Sequence, residues 1–240
     1  MIVNKGLVVL SGGQDSTTTA LCARKECKEI HAITFDYNQK HKIEINSAKK
    51  IAKLLKFKTH EIIKISNILK STSPLVNKKK KLEKYNSYNE IPKGIEKTFV
   101  PSRNILFLTL ASNRAVLRSC KIIYMGVCEE DYGGYPDCRR SFINSMENSL
   151  GLGILGKKKY IKIKTPLMKL TKKESVEIAM KKCKNMKEFN KIFRETHTCY
   201  NGIKGGCGKC HACVLRDRGF KEAGTKDPIW QLRKNNLIYL

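Results

Sequence analysis

Residues 7–16 read LVVLSGGQDS, in which four apolar residues run into a polar turn that contains two glycines. The next residues, TTTALCARK at 17–25, are compatible with a helix. Glycines let a backbone turn tightly and approach a ligand, and the unpaired N–H groups at a helix start, aided by the helix dipole, attract anions. The stretch therefore predicts a buried strand, a phosphate-binding loop and a helix in succession.

Two familiar phosphate-binding loops do not fit this turn. A Walker loop needs a lysine that reaches the β and γ phosphates, and the turn has none. The dinucleotide fingerprint GxGxxG is absent too, although Asp36 stands about 20 residues further on, where a ribose-binding acid is expected. The turn instead resembles the SGGxDS loop of the ATP pyrophosphatases, which split ATP between the α and β phosphates. The alternative is a polar turn in which Ser16 or Asp15 merely caps the helix.

Length and cysteine content narrow the class of protein. A chain of 240 residues is long enough for one full domain, which buries roughly 70–75% of its unfolded surface. No run of about 18 apolar residues is present and the N-terminal apolar run is too short for a secretion signal, so we expect a cytoplasmic protein with no membrane role. Ten cysteines in such a protein indicate metal binding or catalysis rather than disulfides.

The net charge of +27 would attract polyanions without sequence preference. The lysines are spread through nearly every segment, which we interpret as compositional drift rather than a nucleic-acid footprint. We therefore expect no direct nucleic-acid role and expect the charge to help hold ATP or an anionic substrate. A homodimer is left open.

Alternating strand and helix patterns predict the fold class. Strand patterns occur at 30–35, 59–65, 122–127 and 161–164. Helical patterns occur at 41–56, 105–111 and 140–150, the last ended by the glycine-rich residues 151–156. This succession indicates an α/β fold with a doubly wound, mostly parallel sheet. We predict an ATP-binding domain over residues 1–185 and a C-terminal zinc-binding segment over 186–240 packed on the same domain.

Residues 66–98 interrupt the alternation. They contain the turn signal Ser71–Pro74, the charge run Lys78–Lys81 and no sustained apolar periodicity. We expect a mobile, solvated insertion here. The alternative is a lid over the nucleotide, because long loops in compact domains are often functional.

Several polar residues follow the predicted strands, at the edge where open parallel sheets bind ligands. Arg103 falls in the first turn of a helix, where a cation opposes the helix dipole, so we expect it to contact a phosphate or carboxylate. Residues 131–139, DYGGYPDCR, would form a pocket for a flat polar ring, with an ordinary Gly/Pro turn as the alternative. Thr171 opens a helix with a capping box, and the adjacent Lys172 either reaches a phosphate or faces water.

A cysteine array lies near the C-terminus with the spacing C-x7-C-x2-C-x2-C. Its members are Cys199, Cys207, Cys210 and Cys213. Four thiolates at this spacing fit tetrahedral zinc with no open position, so we expect one structural zinc ion per chain. Free core cysteines and redox pairs are the alternatives. Lys209 and Arg216 would offset the negative charge of such a site, and His211 would find no vacancy in it.

Together these motifs make the chain similar to the 7-cyano-7-deazaguanine synthases, the queuosine-pathway branch of the ATP pyrophosphatase (PP-loop) superfamily. The similarity runs from Leu7 to Phe220 apart from residues 66–98. Besides the loop and the cysteine array it rests on Tyr37, Gln39, His41, Glu44, Val100-Pro101, Arg103-Asn104, Asp131-Tyr132, Gly134–Arg139, Thr165–Leu167, Leu170–Lys172 and Glu195-Thr196.

The resemblance implies an ATP-dependent carbon–nitrogen ligase that converts 7-carboxy-7-deazaguanine and ammonium to 7-cyano-7-deazaguanine. The carboxylate and then the amide would be adenylated, with AMP as the leaving group. The implied cofactors are structural Zn2+, Mg2+ and ATP as a co-substrate. Nitrogen should arrive as free ammonium.

The resemblance also implies roles for particular residues. Catalytic roles fall on Asp15, Ser16, Arg103 and Lys172. ATP contacts fall on Leu10, Ser11, Gly12, Gly13, Gln14, Asp15, Ser16 and Thr17. Substrate contacts fall on Tyr37, Gln39, His41, Asp131, Tyr132, Asp137 and Arg139. Magnesium or a backbone amide is the expected partner of Asp15.

Three positions depart from the family pattern: Asn38 and Ser102 replace glycines, and His197 stands where tryptophan is frequent. Two rival functions remain. A tRNA-thiolating PP-loop enzyme would use Cys138 to carry sulfur, but it needs a second reactive cysteine and a tRNA-binding extension, and neither is evident. A non-catalytic zinc-ribbon protein that binds nucleic acid would leave the phosphate loop without purpose.

Overall fold

The computed structural model describes residues 3–92, 94–129, 135–158 and 160–229. Its strands are β1 Val3–Val9, β2 Cys27–Asp36, β3 Thr59–Lys64, β4 Ile122–Tyr124 and β5 Lys162–Lys164. Its α-helices are α1 Gln14–Glu26, α2 Ile43–Leu54, α3 Arg103–Leu117, α4 Arg140–Leu155, α5 Lys172–Lys182, α6 Met186–Phe193 and α7 His211–Glu222. Short 3-10 helices span Tyr88–Glu90 and Pro136–Cys138.

The five strands form one sheet in the order β3-β2-β1-β4-β5. Every neighbouring pair is parallel, and Leu7 at the centre is opposite both His31 and Ile123. The chain winds outward from β1 first to β2 and β3, and then to β4 and β5 on the other side. The strand order therefore reverses at β1, and a crevice for a ligand is expected at the carboxyl ends of β1 and β4.

Alternation along the strands divides the core between the two faces of the sheet. Val8 and Leu10 belong to a buried cluster with residues of α1, α2 and α5 to α7, whereas Leu7 and Val9 belong to another cluster with residues of α3 and α4. Because successive strand side chains point to opposite faces, these helices cover both faces. The predicted doubly wound parallel fold is confirmed.

Some predicted element boundaries are wrong. The glycines at 151 and 153 do not end α4, which continues to Leu155 and ends at Gly156, where φ is +64°. A helix ends readily where a glycine adopts the left-handed conformation, and the two earlier glycines remain helical. The fourth strand is shorter than expected, since it ends at Tyr124.

The C-terminal segment contains two helices that the sequence analysis did not identify. Phe189 and Phe193 of α6 and Phe220 of α7 share one buried cluster with Val176 of α5. This segment thus packs into the core beside α5, and a domain boundary at residue 185 stays a prediction. No described helix is both long and apolar enough to cross a membrane.

Residues 66–98 contain no described α-helix or strand, as expected, but they are not a wholly solvated insertion. Leu75 and Tyr85 are buried. The Lys40 N–H donates to the Leu75 carbonyl at 2.9 Å, and the Tyr85 N–H donates to the Lys209 carbonyl at 2.7 Å. The segment is therefore tied both to the loop after β2 and to the cysteine array.

Candidate active site

The loop after β1 takes its shape from Gly12, whose φ is +88°. A Cβ at Gly12 would lie 2.4 Å from the Glu44 carbonyl oxygen and 2.6 Å from the Ala48 nitrogen of α2, so only glycine fits. Helix α1 then begins at Gln14 with Gly13 as its N-cap. The alternative in which Ser16 or Asp15 caps the helix is therefore wrong. The N-terminus of α1, with its unpaired N–H groups, lies at the carboxyl edge of the sheet.

Hydroxyl groups hold this loop in place. The Oγ of Ser16 accepts a hydrogen bond from the Ser11 N–H at 3.2 Å and lies 3.0 Å from the Ser11 Oγ. The Oγ1 of Thr17 donates to the Gly13 carbonyl at 2.7 Å. Beyond β4, Gly126 lies so close to α1 that a Cβ there would be 2.9 Å from the Ser16 nitrogen. Thr17 is not among the residues that line the cavity, so its hydrogen bond supports the loop from the side away from the cavity.

A cavity of about 190 Å³ opens at this edge of the sheet. Its lining combines the loop, aromatic and apolar side chains and a small number of charged groups, as is typical of a small-molecule site. The lining residues include Ser11, Gly13, Gln14, Asp15, Ser16, Phe35, Tyr37, His41, Glu44, Leu75, Arg103, Asn104, Phe107, Tyr135, Cys138, His197, Thr198 and Tyr200. The rings of Phe35 and Phe107 are stacked, with centroids 4.2 Å apart.

Asp15 lines the cavity but is bound from behind by Lys172. The Lys172 Nζ donates to the Asp15 Oδ2 at 2.8 Å, and both side chains are buried. Gly219 of α7 makes room for this lysine, since a Cβ at Gly219 would lie 2.7 Å from the Lys172 Cβ. Lys172 is thus a partner of Asp15 that the sequence analysis did not predict, and magnesium or a backbone amide as a further partner of Asp15 stays a prediction. Lys172 neither faces water nor lines the cavity.

Arg103 lies at the start of α3, as the sequence predicts, and lines the cavity. Burial disfavours its charge, but the nearby Tyr37 and Asp137 outweigh burial and raise the pKa of the guanidinium. Burial raises the pKa of the Tyr37 hydroxyl to about 12, so this group is neutral at physiological pH. Arg103 is therefore a permanent cation in the cavity, suited to a phosphate or a carboxylate.

The four cysteines of the array come together at the N-terminus of α7. Their sulfur atoms lie within 4.8 Å of one another, and the Cys207 and Cys213 sulfurs are 4.0 Å apart. Sulfurs bound to tetrahedral zinc at about 2.3 Å would be about 3.8 Å apart, so the geometry fits. The backbone N–H groups of Lys209 and Cys210 donate to the Cys207 sulfur at 3.4 and 3.2 Å. The four residues could hold a metal ion.

Comparison with known proteins gives a consistent result. The family described as Queuosine biosynthesis protein QueC matches residues 5–224. The chain belongs to this family. A curated relative from Gloeobacter violaceus named 7-cyano-7-deazaguanine synthase is 52% identical over 232 residues, which are 97% of this chain and 98% of the relative.

Solved structures that resemble this QueC family member are more distant. A U34-tRNA thiolase from Methanococcus maripaludis with a [4Fe-4S] cluster has a TM-score of 0.49 and 16% identity, and the match covers 100% of this chain and 74% of that one. An NH3-dependent NAD synthetase from Campylobacter jejuni has a TM-score of 0.43 and 18% identity, over 97% and 82% of the two chains.

The structure separates the predicted substrate residues of this QueC family member. Tyr37 and His41 line the cavity, whereas Gln39 is buried behind them. The Gln39 amide accepts from the Tyr37 N–H at 3.0 Å and donates to the Phe35 carbonyl at 3.2 Å and to the Glu44 Oε1 at 2.8 Å. Gln39 therefore braces the loop after β2, and the prediction that it contacts substrate is not supported by its position.

His41, which precedes α2, and Glu44, in the first turn of α2, form a pair. The His41 Nε2 lies 3.3 Å from the Glu44 Oε2, and the two side chains are only 4% and 11% exposed. Burial acts to raise the pKa of Glu44, but His41 and Gln39 outweigh it and lower the pKa, so the carboxylate is ionised near neutral pH. The His41 ring also packs against Tyr200, with centroids 5.5 Å apart.

Only some of the described residues that were predicted to form a ring pocket line the cavity. Cys138 lines the cavity, while the buried Asp137 beside it does not, and Arg139 is exposed outside it. Burial raises the pKa of the Cys138 thiol to about 12, and the neighbouring Asp137 adds to the shift. Asp131 and Tyr132 lie outside the described residues.

Arg216 does not offset the charge of the cysteine array, which corrects that prediction. It is buried and binds both oxygens of Asp227 at 2.7 and 2.9 Å. Its Nη1 also donates to the hydroxyls of Thr196 and Thr198, on either side of His197. The His197 N–H in turn donates to the Gly12 carbonyl at 2.9 Å, so the arginine fixes the segment that closes over the phosphate loop.

The other residues near the array follow the sequence analysis more closely. His211 is not part of the sulfur group, and its Nδ1 lies 3.3 Å from the Glu96 Oε2. Lys209 contributes its backbone N–H to the Cys207 sulfur, while the residue itself is exposed.

Several cavity residues were not predicted as site residues. Glu44, Asn104 and His197 belong to motifs shared with the family but were not predicted to contact a ligand, and Tyr200 follows Cys199 directly. Asn104 follows Arg103 in α3, and its amide donates to the Asp137 carbonyl at 3.2 Å. For Asn104, His197 and Tyr200 the available signal was the adjacent arginine or cysteine, and for Glu44 it was the nearby His41. Their convergence depends on the fold rather than on local sequence.

Proposed function

We propose that this chain makes 7-cyano-7-deazaguanine from 7-carboxy-7-deazaguanine, ammonium and ATP. The observation that carries the proposal is that the N-terminus of α1 and a cavity lined by stacked aromatic rings open onto each other. The loop suits the phosphates of ATP, and the adjoining cavity suits a flat heterocycle. The named relative, which matches almost the full length of the chain, supports this choice of substrate.

The first chemical step would join the substrate carboxylate to AMP. A carboxylate oxygen attacks the α phosphorus, and the bond from that phosphorus to the pyrophosphate oxygen breaks. The N–H groups at the start of α1 and the Arg103 guanidinium stabilise the charge that builds on the phosphates. Lys172 acts through Asp15, because it holds that carboxylate in the first turn of α1.

The later steps repeat the same activation. Ammonia displaces AMP from the acyl carbon and gives an amide. The amide oxygen then attacks a second ATP, and loss of AMP with the remaining amide protons gives the nitrile. The cavity wall of Phe35, Phe107 and Tyr37 would hold the heterocycle in one plane during both steps.

The cysteine array would hold one structural zinc ion. All four donors are sulfur, and zinc with four thiolates keeps no open position for water, so the ion would stabilise the fold and take no part in the reaction. Magnesium would enter as part of the ATP substrate. Lys172 binds the Oδ2 of Asp15, and the Oδ1 of this cavity-lining carboxylate is the atom that would contact magnesium carried by ATP.

The experiment is incubation of the purified protein with 7-carboxy-7-deazaguanine, ATP and ammonium. We expect the nitrile to appear by chromatography with mass detection, together with pyrophosphate. Omission of ammonium should abolish the nitrile but leave adenylation measurable by exchange of labelled pyrophosphate into ATP. Absence of both products from folded protein would overturn the proposal.

A further inference from the structure

We propose that Glu44 and His41 form the subsite that binds ammonium and removes its proton. The inference rests on the proposed function and assigns residues to its nitrogen substrate. Ammonium is a small cation with no lone pair, so a site must first attract it and then deprotonate it before nitrogen can attack carbon.

Charge in the cavity favours the Glu44 end for a cation. Among the described residues that line the cavity, Asp15 and Glu44 carry the carboxylates and Arg103 carries the permanent positive charge. Asp15 is bound to Lys172 at 2.8 Å, whereas Glu44 is bound by the neutral Gln39 amide and by the His41 imidazole. Glu44 thus presents negative charge to the cavity, with the Tyr200 ring beside His41 to support a bound cation.

Glu44 lies close to the phosphate loop, where the adenylate would form. The backbone of Glu44 lies against the phosphate loop, since a Cβ at Gly12 would be 2.4 Å from the Glu44 carbonyl oxygen. Glu44, Tyr37 and Arg103 line the same cavity, so the Glu44 side chain shares this space with the cation that would stabilise the phosphates. A nucleophile bound at Glu44 would therefore be near the activated carbon.

His41 has the arrangement of a proton acceptor. Its Nε2 faces the Glu44 carboxylate at 3.3 Å, which favours the tautomer with hydrogen on Nε2 and a lone pair on Nδ1. The Nδ1 atom is buried and has no hydrogen-bond partner among the described residues. A buried polar atom without a partner is costly, and a transient partner such as ammonium explains its retention in a cavity-lining residue.

The step balances as follows. An N–H bond of ammonium breaks and its proton moves to the His41 Nδ1, which leaves the electron pair on nitrogen. That pair forms the C–N bond as the bond from carbon to the AMP oxygen breaks, and AMP departs with the electrons. After attack the nitrogen carries one more proton than the amide retains, and this proton moves to the departing phosphate. The amide, AMP and a protonated imidazole result, and the imidazole returns its proton to water.

The test uses two nucleophiles that differ in charge. Ammonium needs deprotonation, whereas hydroxylamine is already neutral near pH 7 and converts an acyl adenylate to a hydroxamate. We expect His41→Asn to lower the ammonium-dependent rate by about 10²-fold or more, the scale of a general base, and to leave hydroxamate formation within about threefold of the parent protein. Glu44→Gln should raise the KM for ammonium by about tenfold without changing that for hydroxylamine.

His31→Asn is the matched control, because the His31 Nε2 also lies beside a carboxylate, 2.9 Å from the Glu29 Oε1, but outside the cavity. It should leave both reactions unchanged. Equal losses with both nucleophiles in folded His41→Asn and His41→Gln, or no loss with ammonium, would overturn the inference. A parent protein that forms neither hydroxamate nor nitrile would overturn the proposed function itself.

Discussion

The Lys172 Nζ lies 2.8 Å from the Asp15 Oδ2, and the two side chains are 6% and 11% exposed. The pair joins the first turn of α5 to the first turn of α1 across 157 residues of sequence. A carboxylate in the first turn of a helix is favoured by the helix dipole, and Lys172 adds a direct partner. The phosphate loop is therefore held by a buried ion pair from outside the cavity.

Removing one charge of this pair should be costly. We expect Asp15→Asn to lower the free energy of unfolding by roughly 3–5 kcal/mol, because Lys172 loses its carboxylate in a buried position. Asp15→Asn combined with Lys172→Met should regain much of that stability but not the rate of pyrophosphate release. Urea unfolding and a pyrophosphate assay measure the two effects separately.

The exposed pair of Arg218 and Glu222 is a control of similar length, 2.7 Å, with side chains 38% and 40% exposed. Glu222→Gln should change the free energy of unfolding by less than about 1 kcal/mol. A cost for Asp15→Asn no larger than this would show that the buried pair does not brace the loop.

The two positions that replace family glycines both have left-handed backbone. The φ of Ser102 is +63° and that of Asn38 is +64°. Asparagine tolerates this conformation, whereas serine pays more for its Cβ, so Ser102→Gly should raise the free energy of unfolding by about 0.5–1 kcal/mol and Asn38→Gly should have a smaller effect.

Ser87 provides the comparison, since it is extended, with φ of −147°. Ser87→Gly should not raise the free energy of unfolding, because the extended backbone there has no strain to relieve and glycine increases the conformational entropy of the unfolded chain. Thermal and urea unfolding of the three variants check the order. A destabilised Ser102→Gly protein would contradict the argument.

Positions 38 and 102 are examples of features that the sequence alone could indicate. The missing glycines at 38 and 102 were visible as departures from a pattern, and the structure supplies their physical meaning. The strand, loop and helix from Leu7 onward were predictable because apolar alternation, glycine and helix spacing are local signals. The capping box at Thr171 was equally local, and the structure contains it.

Other features could not be predicted, because they depend on contacts between residues that are distant in sequence. Nothing near Lys172 in sequence indicates that its partner is Asp15, so burial and pairing could only come from the fold. In α7 consecutive residues from His211 to Arg216 are buried, and this removes the one-sided periodicity by which a helix is recognised. In α6, Phe189, Ile192 and Phe193 do have helical spacing, and that signal was overlooked.

The cysteine array makes a prediction about metal content. We expect one zinc ion per chain in purified protein, and we expect Cys207→Ser to lose both the metal and much of the folded structure, because metal binding by such a site is coupled to folding. Elemental analysis and circular dichroism measure the two losses. Cys120→Ala removes a buried thiol outside the sulfur group and should retain the metal. Well-folded protein without zinc would refute the assignment.

The final prediction separates nitrile synthesis from tRNA thiolation and concerns Cys138. A sulfur carrier must react as a thiolate, but the pKa of this thiol is raised to about 12, so below that pH the folded protein holds it neutral. We therefore expect Cys138 to react slowly with iodoacetamide near pH 8, where an unburied cysteine would react readily.

Cys138→Ala should retain conversion of 7-carboxy-7-deazaguanine to its nitrile, since ammonia needs no covalent carrier, and its fall in rate should reflect packing alone. Cys128 contributes to the raised pKa of Cys138 and is a candidate for a second thiol, so the double variant with Cys128→Ala is the stricter test. Mass spectrometry of both the small-molecule product and tRNA would decide. A thiolation pathway that uses these two sulfurs is lost when both are removed, so nitrile formed by the double variant does not depend on that pathway. If the parent protein transfers sulfur to tRNA and forms no nitrile, the assignment is reversed.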